Sequence, residues 1–83
     1  MNPPDIQPHQ CYVIFAERET GIVLNKGLTR CMIPAEDPFY VFDDLATARA
    51  HTLRVVENAG FPVEGVIYDP LDNMIALIEP ETL

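Results

Sequence analysis

Apolar residues occur along most of the chain in short blocks that polar turns separate. These blocks are rich in β-branched and aromatic residues, which favour strands. They lie at 11–16, 22–24, 28–33, 39–42, 63–69 and 74–78. Cys11–Ala16 is apolar at every position, so we predict a central strand that is covered on both faces. Asn25–Gly27 and Pro70–Asn73 have the residues of chain reversals between strands.

One longer block has the composition of a helix with both ends marked. Asp43 and Asp44 offer side-chain oxygens to the free N–H groups of a first turn, and their charge suits the positive end of the helix dipole. At the other end we expect Gly60 to adopt the left-handed conformation, and Pro62 forbids a further turn. The pattern therefore predicts a helix from Asp44 to Ala59.

The helical period places several apolar residues on one face, which we expect to pack on the sheet. They are Leu45, Ala48, Leu53, Val56 and Ala59. Arg49 falls within this face. Either its alkyl stem lies on the sheet while the guanidinium reaches the edge, or it pairs with a carboxylate at an interface. In both cases the stem is predicted to be buried. His51 falls on the opposite, solvated face, and Gly65 indicates a bulge or, as a second interpretation, a close approach of two backbones.

Together these elements predict an α+β domain. We expect a mostly antiparallel sheet of about five to six short strands with one helix on one face, in the order ββββαββ. The domain is predicted to span 11–79, after a flexible, proline-rich arm at 1–10 and before a short tail at 80–83. A chain of 83 residues has room for one hydrophobic core.

The charge balance restricts the possible partners. The chain has 13 acidic and 5 basic residues, which gives a net charge of −8. A phosphate backbone would be repelled, so direct binding to nucleic acid is not expected. The acids either keep the protein dispersed or attract a basic partner protein. We find no export signal or membrane-spanning segment in the sequence, and we expect a cytoplasmic protein whose Cys11 and Cys31 are reduced and buried.

Catalytic and metal-binding patterns are weak. The chain has no serine, and its histidines and cysteines do not form a C-x-x-C or H-x-x-x-H pair. The carboxylate pairs Asp43–Asp44 and Asp69–Asp72 are explained by a helix cap and a turn. No catalytic residue, metal ligand or cofactor is predicted, which leaves enzymatic activity open and not favoured.

The remaining prediction concerns self-association. One helix covers one sheet face, yet the strand blocks are apolar on both, and large uncovered apolar patches usually indicate an interaction site. The predicted interaction residues are Tyr12, Ile14, Arg49, Tyr68, Ile75 and Leu77. We therefore expect a non-catalytic homodimeric interaction module (an inhibitor, immunity-type or regulatory protein) with a basic protein partner. Two alternatives stay open: a small enzyme or ligand-binding subunit with its pocket at the dimer interface, and an acidic mimic of nucleic acid.

Overall fold

The computed structural model of the protein describes residues 3–24 and 38–80. Within these ranges four strands and one helix follow one another in the order ββαββ. They are β1 (Cys11–Glu17), β2 (Tyr40–Phe42), α1 (Leu45–Asn58), β3 (Val63–Tyr68) and β4 (Met74–Ile78). The strands form one sheet in the order β2-β1-β3-β4, and every neighbouring pair is antiparallel. The α+β class, the antiparallel sheet and the helix on one face are confirmed.

The predicted strand count and the order ββββαββ are wrong for the described residues. Block 22–24 returns along β1 after a reversal at Gly21, whose φ is 73°, and Val23 bridges to Ala16. The block adds backbone hydrogen bonds to Phe15 and Glu17, but within the described residues it does not form a strand. It shares one edge of β1 with β2, which occupies the other half of that edge, so neither segment has room to be long. The block at 28–33 lies outside the described residues.

The core lies between α1 and the sheet. Alternate residues of β1 face the helix, and Cys11, Val13 and Phe15 are all at most 3% exposed. Tyr12 points to the other face and is also buried, at 2%. The prediction that this segment is a central strand is confirmed, whereas Ile14 on that second face is only half-buried. Cys11 is a free, buried thiol, as expected, whereas Cys31 lies outside the described residues.

Both ends of α1 lie close to their predicted positions. Asp44 is the N-cap, and its Oδ1 accepts a hydrogen bond of 2.7 Å from the backbone N–H of Thr47. At the other end Ala59 is extended, with φ −67° and ψ 143°. Gly60 does not have positive φ, so the expected left-handed glycine is wrong. The chain leaves the helix directly along an extended path towards β3, and no left-handed reversal is needed.

The helix is rotated relative to the predicted apolar face. Its buried residues are Ala48, Thr52 and Val56, whereas Leu53 is 48% exposed. Arg49 is exposed as well, so the expected burial of its stem is wrong.

Gly65 explains this rotation. A Cβ at position 65 would overlap Thr52 Cγ2 and lie 3.1 Å from the Phe15 ring. Thr52 is 0% exposed, and its hydroxyl donates a hydrogen bond of 2.7 Å to the carbonyl of Ala48, which holds the methyl group against β3. The helix thus packs through small residues on Gly65, the one position without a side chain in β1 to β4. Of the two interpretations of Gly65, the close approach is correct, because the irregularity in the sheet lies between Ile67 and Tyr68 instead.

We predict that Gly65→Ala destabilises the protein by about 1–3 kcal/mol, the usual range for overpacking a tight core. Gly60→Ala is the matched control, because position 60 has open space and no positive φ, and its effect should stay below about 1 kcal/mol. Thr52→Ser removes only Cγ2 and keeps the hydroxyl, so Thr52→Ser should recover part of the loss in Gly65→Ala. Urea unfolding of Gly65→Ala, Gly60→Ala, Thr52→Ser and the double variant Gly65→Ala with Thr52→Ser tests this. Equal losses of unfolding free energy in Gly60→Ala and Gly65→Ala would contradict the prediction.

A second prediction concerns the helix cap and pH. The backbone N–H of Thr47 lowers the pKa of Asp44 in the folded protein. The ionised carboxylate therefore stabilises the fold at every pH above the pKa of Asp in the unfolded chain, about 4. This stabilisation is lost as pH falls through the lower pKa of the folded state. Asp44→Ala should therefore lower the melting temperature at neutral pH, and the difference from the parent should shrink below about pH 4. Asp44→Asn keeps a capping oxygen and should remove only the pH-dependent part. Thermal unfolding of both variants and the parent over a pH series measures these effects. A difference in melting temperature between Asp44→Ala and the parent that does not change with pH would contradict the role of the Asp44 carboxylate.

Candidate protein-interaction surface

The sheet face opposite α1, here called the open face, carries apolar side chains from all four strands. The strand register aligns Val41 with Tyr12, Tyr12 with Tyr68, and Ile14 with Val66 and Leu77. The apolar residues of the open face are Tyr12, Ile14, Val41, Val66, Tyr68, Met74, Ile75 and Leu77. At one end of this face the register also sets Glu64 opposite Ala16. Its members on the two outer strands are the most exposed: Val41 and Leu77 are each 45% exposed, and Met74 is 61% exposed. The open face is therefore an apolar band that is exposed at its margins.

Tyr12 is a buried side chain of the open face with a polar group. Its ring stacks on Tyr68, with centroids 5.1 Å apart, and meets the edge of Phe39 at 5.5 Å. Its hydroxyl donates a hydrogen bond of 2.8 Å to Asp72 Oδ1. Burial, together with this bond to a carboxylate, raises the pKa of Tyr12 above its ordinary value of about 10, so the hydroxyl stays protonated. The group acts as a structural tie and not as an acid or base near neutral pH.

The turn that supplies Asp72 is built by Asp69. One carboxylate oxygen of Asp69 accepts backbone N–H bonds from Leu71, at 2.8 Å, and Asn73, at 2.9 Å, and these bonds lower the pKa of Asp69. Asp72 has a positive φ of 65°, a conformation that Asp tolerates better than most residues. The turn thereby directs the Asp72 carboxylate towards the hydroxyl of Tyr12, near the start of β1.

Beside the open face, β4 is an edge strand with a groove along it. The groove has a volume of about 340 Å³ and is lined by Arg49, Ala50, Leu53, Leu77 and Ile78. Leu53 and Leu77 are nearly half exposed, at 48% and 45%. Sites for small molecules enclose most of the ligand surface. Because this groove is open and its walls are exposed, it suits contact with another polypeptide better than enclosure of a small ligand.

His51 differs from its predicted position on a solvated face. Its ring lies among aromatic rings, 5.1 Å from Phe42, 5.9 Å from Tyr40 and 6.4 Å from Phe15, measured between centroids. Nε2 is buried and has no hydrogen-bond partner among the described residues. The expectation of a solvated His51 is wrong because the helix rotation turns this residue towards β2. It belongs to the packing between α1 and the sheet.

Acidic residues gather at the end of the sheet where α1 begins. Asp43 and Asp44 follow β2, and the turn with Asp69 and Asp72 joins β3 to β4. Antiparallel pairing places the end of β2, the end of β3 and the start of β4 at this same end. Asp43 Oδ1 accepts a hydrogen bond of 3.1 Å from the Gln10 side chain. These acids shape a cap and a turn, and they also give this end of the molecule a negative charge.

The structure brings together five of the six predicted interaction residues and separates the sixth. Tyr12, Ile14, Tyr68, Ile75 and Leu77 share the open face, with Tyr12 buried, Ile14 and Tyr68 half-buried, and Ile75 and Leu77 exposed. Arg49 lies on the other side of β4, in the groove.

Among the apolar residues at the open face and the groove, sequence reasoning did not predict the exposure of Val41 and Leu53. The alternation of Tyr40–Phe42 could have indicated Val41. Nothing in the helix pattern indicated Leu53.

In the described parts of the chain, no three His, Cys, Asp or Glu side chains are grouped so that they could hold a metal ion. No described helix is long and apolar enough to cross a membrane. Comparison with protein-family models, curated proteins and solved structures found no match. The proposals below therefore rest on the surfaces of this chain alone.

We predict that Tyr12→Phe destabilises the protein by roughly 1–2 kcal/mol, because it leaves the Asp72 carboxylate without its donor while it keeps the stack on Tyr68. Tyr68→Phe is the matched control: it removes a hydroxyl from the same stack, and that hydroxyl makes no hydrogen bond within the described residues. Urea unfolding near neutral pH compares the two variants. Equal losses would show that the Tyr12–Asp72 bond contributes nothing specific.

Proposed function

We propose that this protein is a non-catalytic, homodimeric protein-interaction module of the cytoplasm, of an inhibitor, immunity-type or regulatory kind, with a basic protein as partner. The observation that supports it is the distribution of exposed apolar side chains. Ile75, Leu77 and Met74 follow one another along β4 and are between 44% and 61% exposed, and they adjoin the half-buried Ile14 and Val66. A contiguous apolar band of this kind is typical of a contact surface.

The charge supports a division between two surfaces. At one end of the sheet Asp43, Asp44 and Asp72 are exposed and Asp69 is half-buried, away from the middle of the apolar band. The net charge of −8 opposes the approach of a second copy and attracts a basic protein. Self-association would therefore use the apolar band, with acids at its rim, and the basic partner would meet the acidic end.

A salt series tests the homodimer. Sedimentation equilibrium should give about twice the monomer mass of 9.3 kDa at tens of micromolar protein. The dimer should persist, or tighten slightly, as salt rises, because screening weakens the repulsion between two subunits of charge −8. A stable interface should bury at least about 1,000 Å² in total. A monomer at every salt concentration would refute the dimer.

The basic partner is tested separately by capture from native cell extract, with identification by mass spectrometry. A partner that binds through charge should be basic, and its capture should weaken as salt rises while the dimer remains. Captured proteins without a basic bias, or capture that is independent of salt, would contradict the second half of the proposal and leave the homodimer unaffected.

A further inference from the structure

We propose that β4 pairs edge to edge with β4 of a second copy, antiparallel, so that the two four-stranded sheets become one continuous sheet. The inference rests on the proposed homodimer. It specifies that β4, the edge strand bordering the apolar band, makes the contact. β4 is the last strand in the order β2-β1-β3-β4, and within residues 3–24 and 38–80 no strand pairs with its outer edge. That edge presents unpaired backbone N–H and C=O groups, which a second strand can satisfy.

The sequence of β4 lacks the residues that usually prevent edge pairing. Natural edge strands carry Lys, Pro or inward-pointing charges, whereas Met74–Ile78 is apolar at all five positions. An irregularity at Ile75 opposite Ile67–Tyr68 lies at one end of the strand, and Ala76–Ile78 is regularly paired with β3. A two-fold axis at Ala76 pairs Met74 with Ile78 and Ile75 with Leu77, so apolar residues meet only apolar residues. The strand is self-complementary, as a two-fold contact requires.

The charges near β4 indicate that the strand pairing with its outer edge belongs to a second copy of this chain. Arg49 lies in the groove beside Leu77 and Ile78, and Arg18 lies at the same end of β4, where it pairs with Glu79 at 3.3 Å. The other end of β4 follows the turn with Asp69 and Asp72. Glu79 neutralises Arg18, so Arg49 is the cation at this end of β4 that makes no ion pair within the described residues. Antiparallel pairing directs Arg49 of each copy towards the end of the other β4 that carries Asp72. A contact between two copies thus joins complementary charges locally, although the copies repel each other overall.

A lysine introduced at either edge of the open face separates edge pairing from face-to-face packing. Leu77 and Val41 both lie on the open face, are each 45% exposed, and occupy the two opposite outer strands β4 and β2. Leu77→Lys and Val41→Lys change the net charge equally. A lysine on β4 should block pairing there, so Leu77→Lys should weaken dimerisation at least tenfold, and Val41→Lys should change it less than threefold, by sedimentation equilibrium. Circular dichroism checks that both variants fold.

Backbone amide exchange of the unmodified protein provides a second readout that needs no variant. Above the dimer dissociation constant, the outward-pointing amides of β4 should exchange at least tenfold more slowly than below it, while β2 amides stay unchanged. The inference is supported if β4 amides exchange more slowly in the dimer and if Leu77→Lys weakens dimerisation more than Val41→Lys does. A dimer that both lysines weaken equally, or that leaves β4 exchange unchanged, overturns edge pairing and leaves the homodimer standing. A protein that stays monomeric overturns both.

Discussion

The contact between Gly65 on β3 and Thr52 on α1 determines how the layers of this protein meet. The strand has no side chain at that position, and the helix places a fixed methyl group there. A hydrogen bond to the preceding turn holds the threonine in its rotamer, so the helix cannot adapt by a simple side-chain rotation. Tight packing of this kind fixes the distance of α1 from the sheet and its rotation about its own axis.

The surface of the molecule follows from that rotation. With Ala48, Thr52 and Val56 on the sheet, Leu53 and Arg49 turn towards β4 and form one wall of its groove. The same rotation carries the His51 ring into the aromatic rings of β1 and β2. The open face and the groove are thus adjacent on either side of one edge strand. The candidate interaction surface is a consequence of how the core packs.

The parts of the fold that sequence could predict are those set by neighbouring residues. The cap at Asp44 acts within one turn, and the bounds of β4 follow from an apolar run between Asn73 and Glu79. The rotation of the helix was not predictable in this way, because it depends on two distant residues that meet only in the folded chain. The apolar period alone favoured Leu53 as a buried residue, since it counts hydrophobicity and not the close fit of small side chains.

The candidate surface was predictable to a similar extent. Alternation along β1 and β3 brings Tyr12, Ile14 and Tyr68 to one face, and this follows from strand geometry once the pairing is known. The tie from Tyr12 to Asp72 joins residues 60 positions apart, so no local pattern could indicate it. Within residues 3–24 and 38–80 fewer strands form than predicted, because block 22–24 and β2 divide a single edge of β1 between them.

The central place of β1 has a consequence for the order of synthesis. The strand is made first, is apolar at almost every position, and pairs with β3, whose residues follow about fifty positions later. At about 5–20 residues per second, the ribosome produces β3 some 3–10 s after β1. Long-range strand pairs of this kind also form slowly after release. A nascent chain therefore displays the apolar β1 for seconds before its main partner exists, and during this time β1 is a segment that a chaperone can bind.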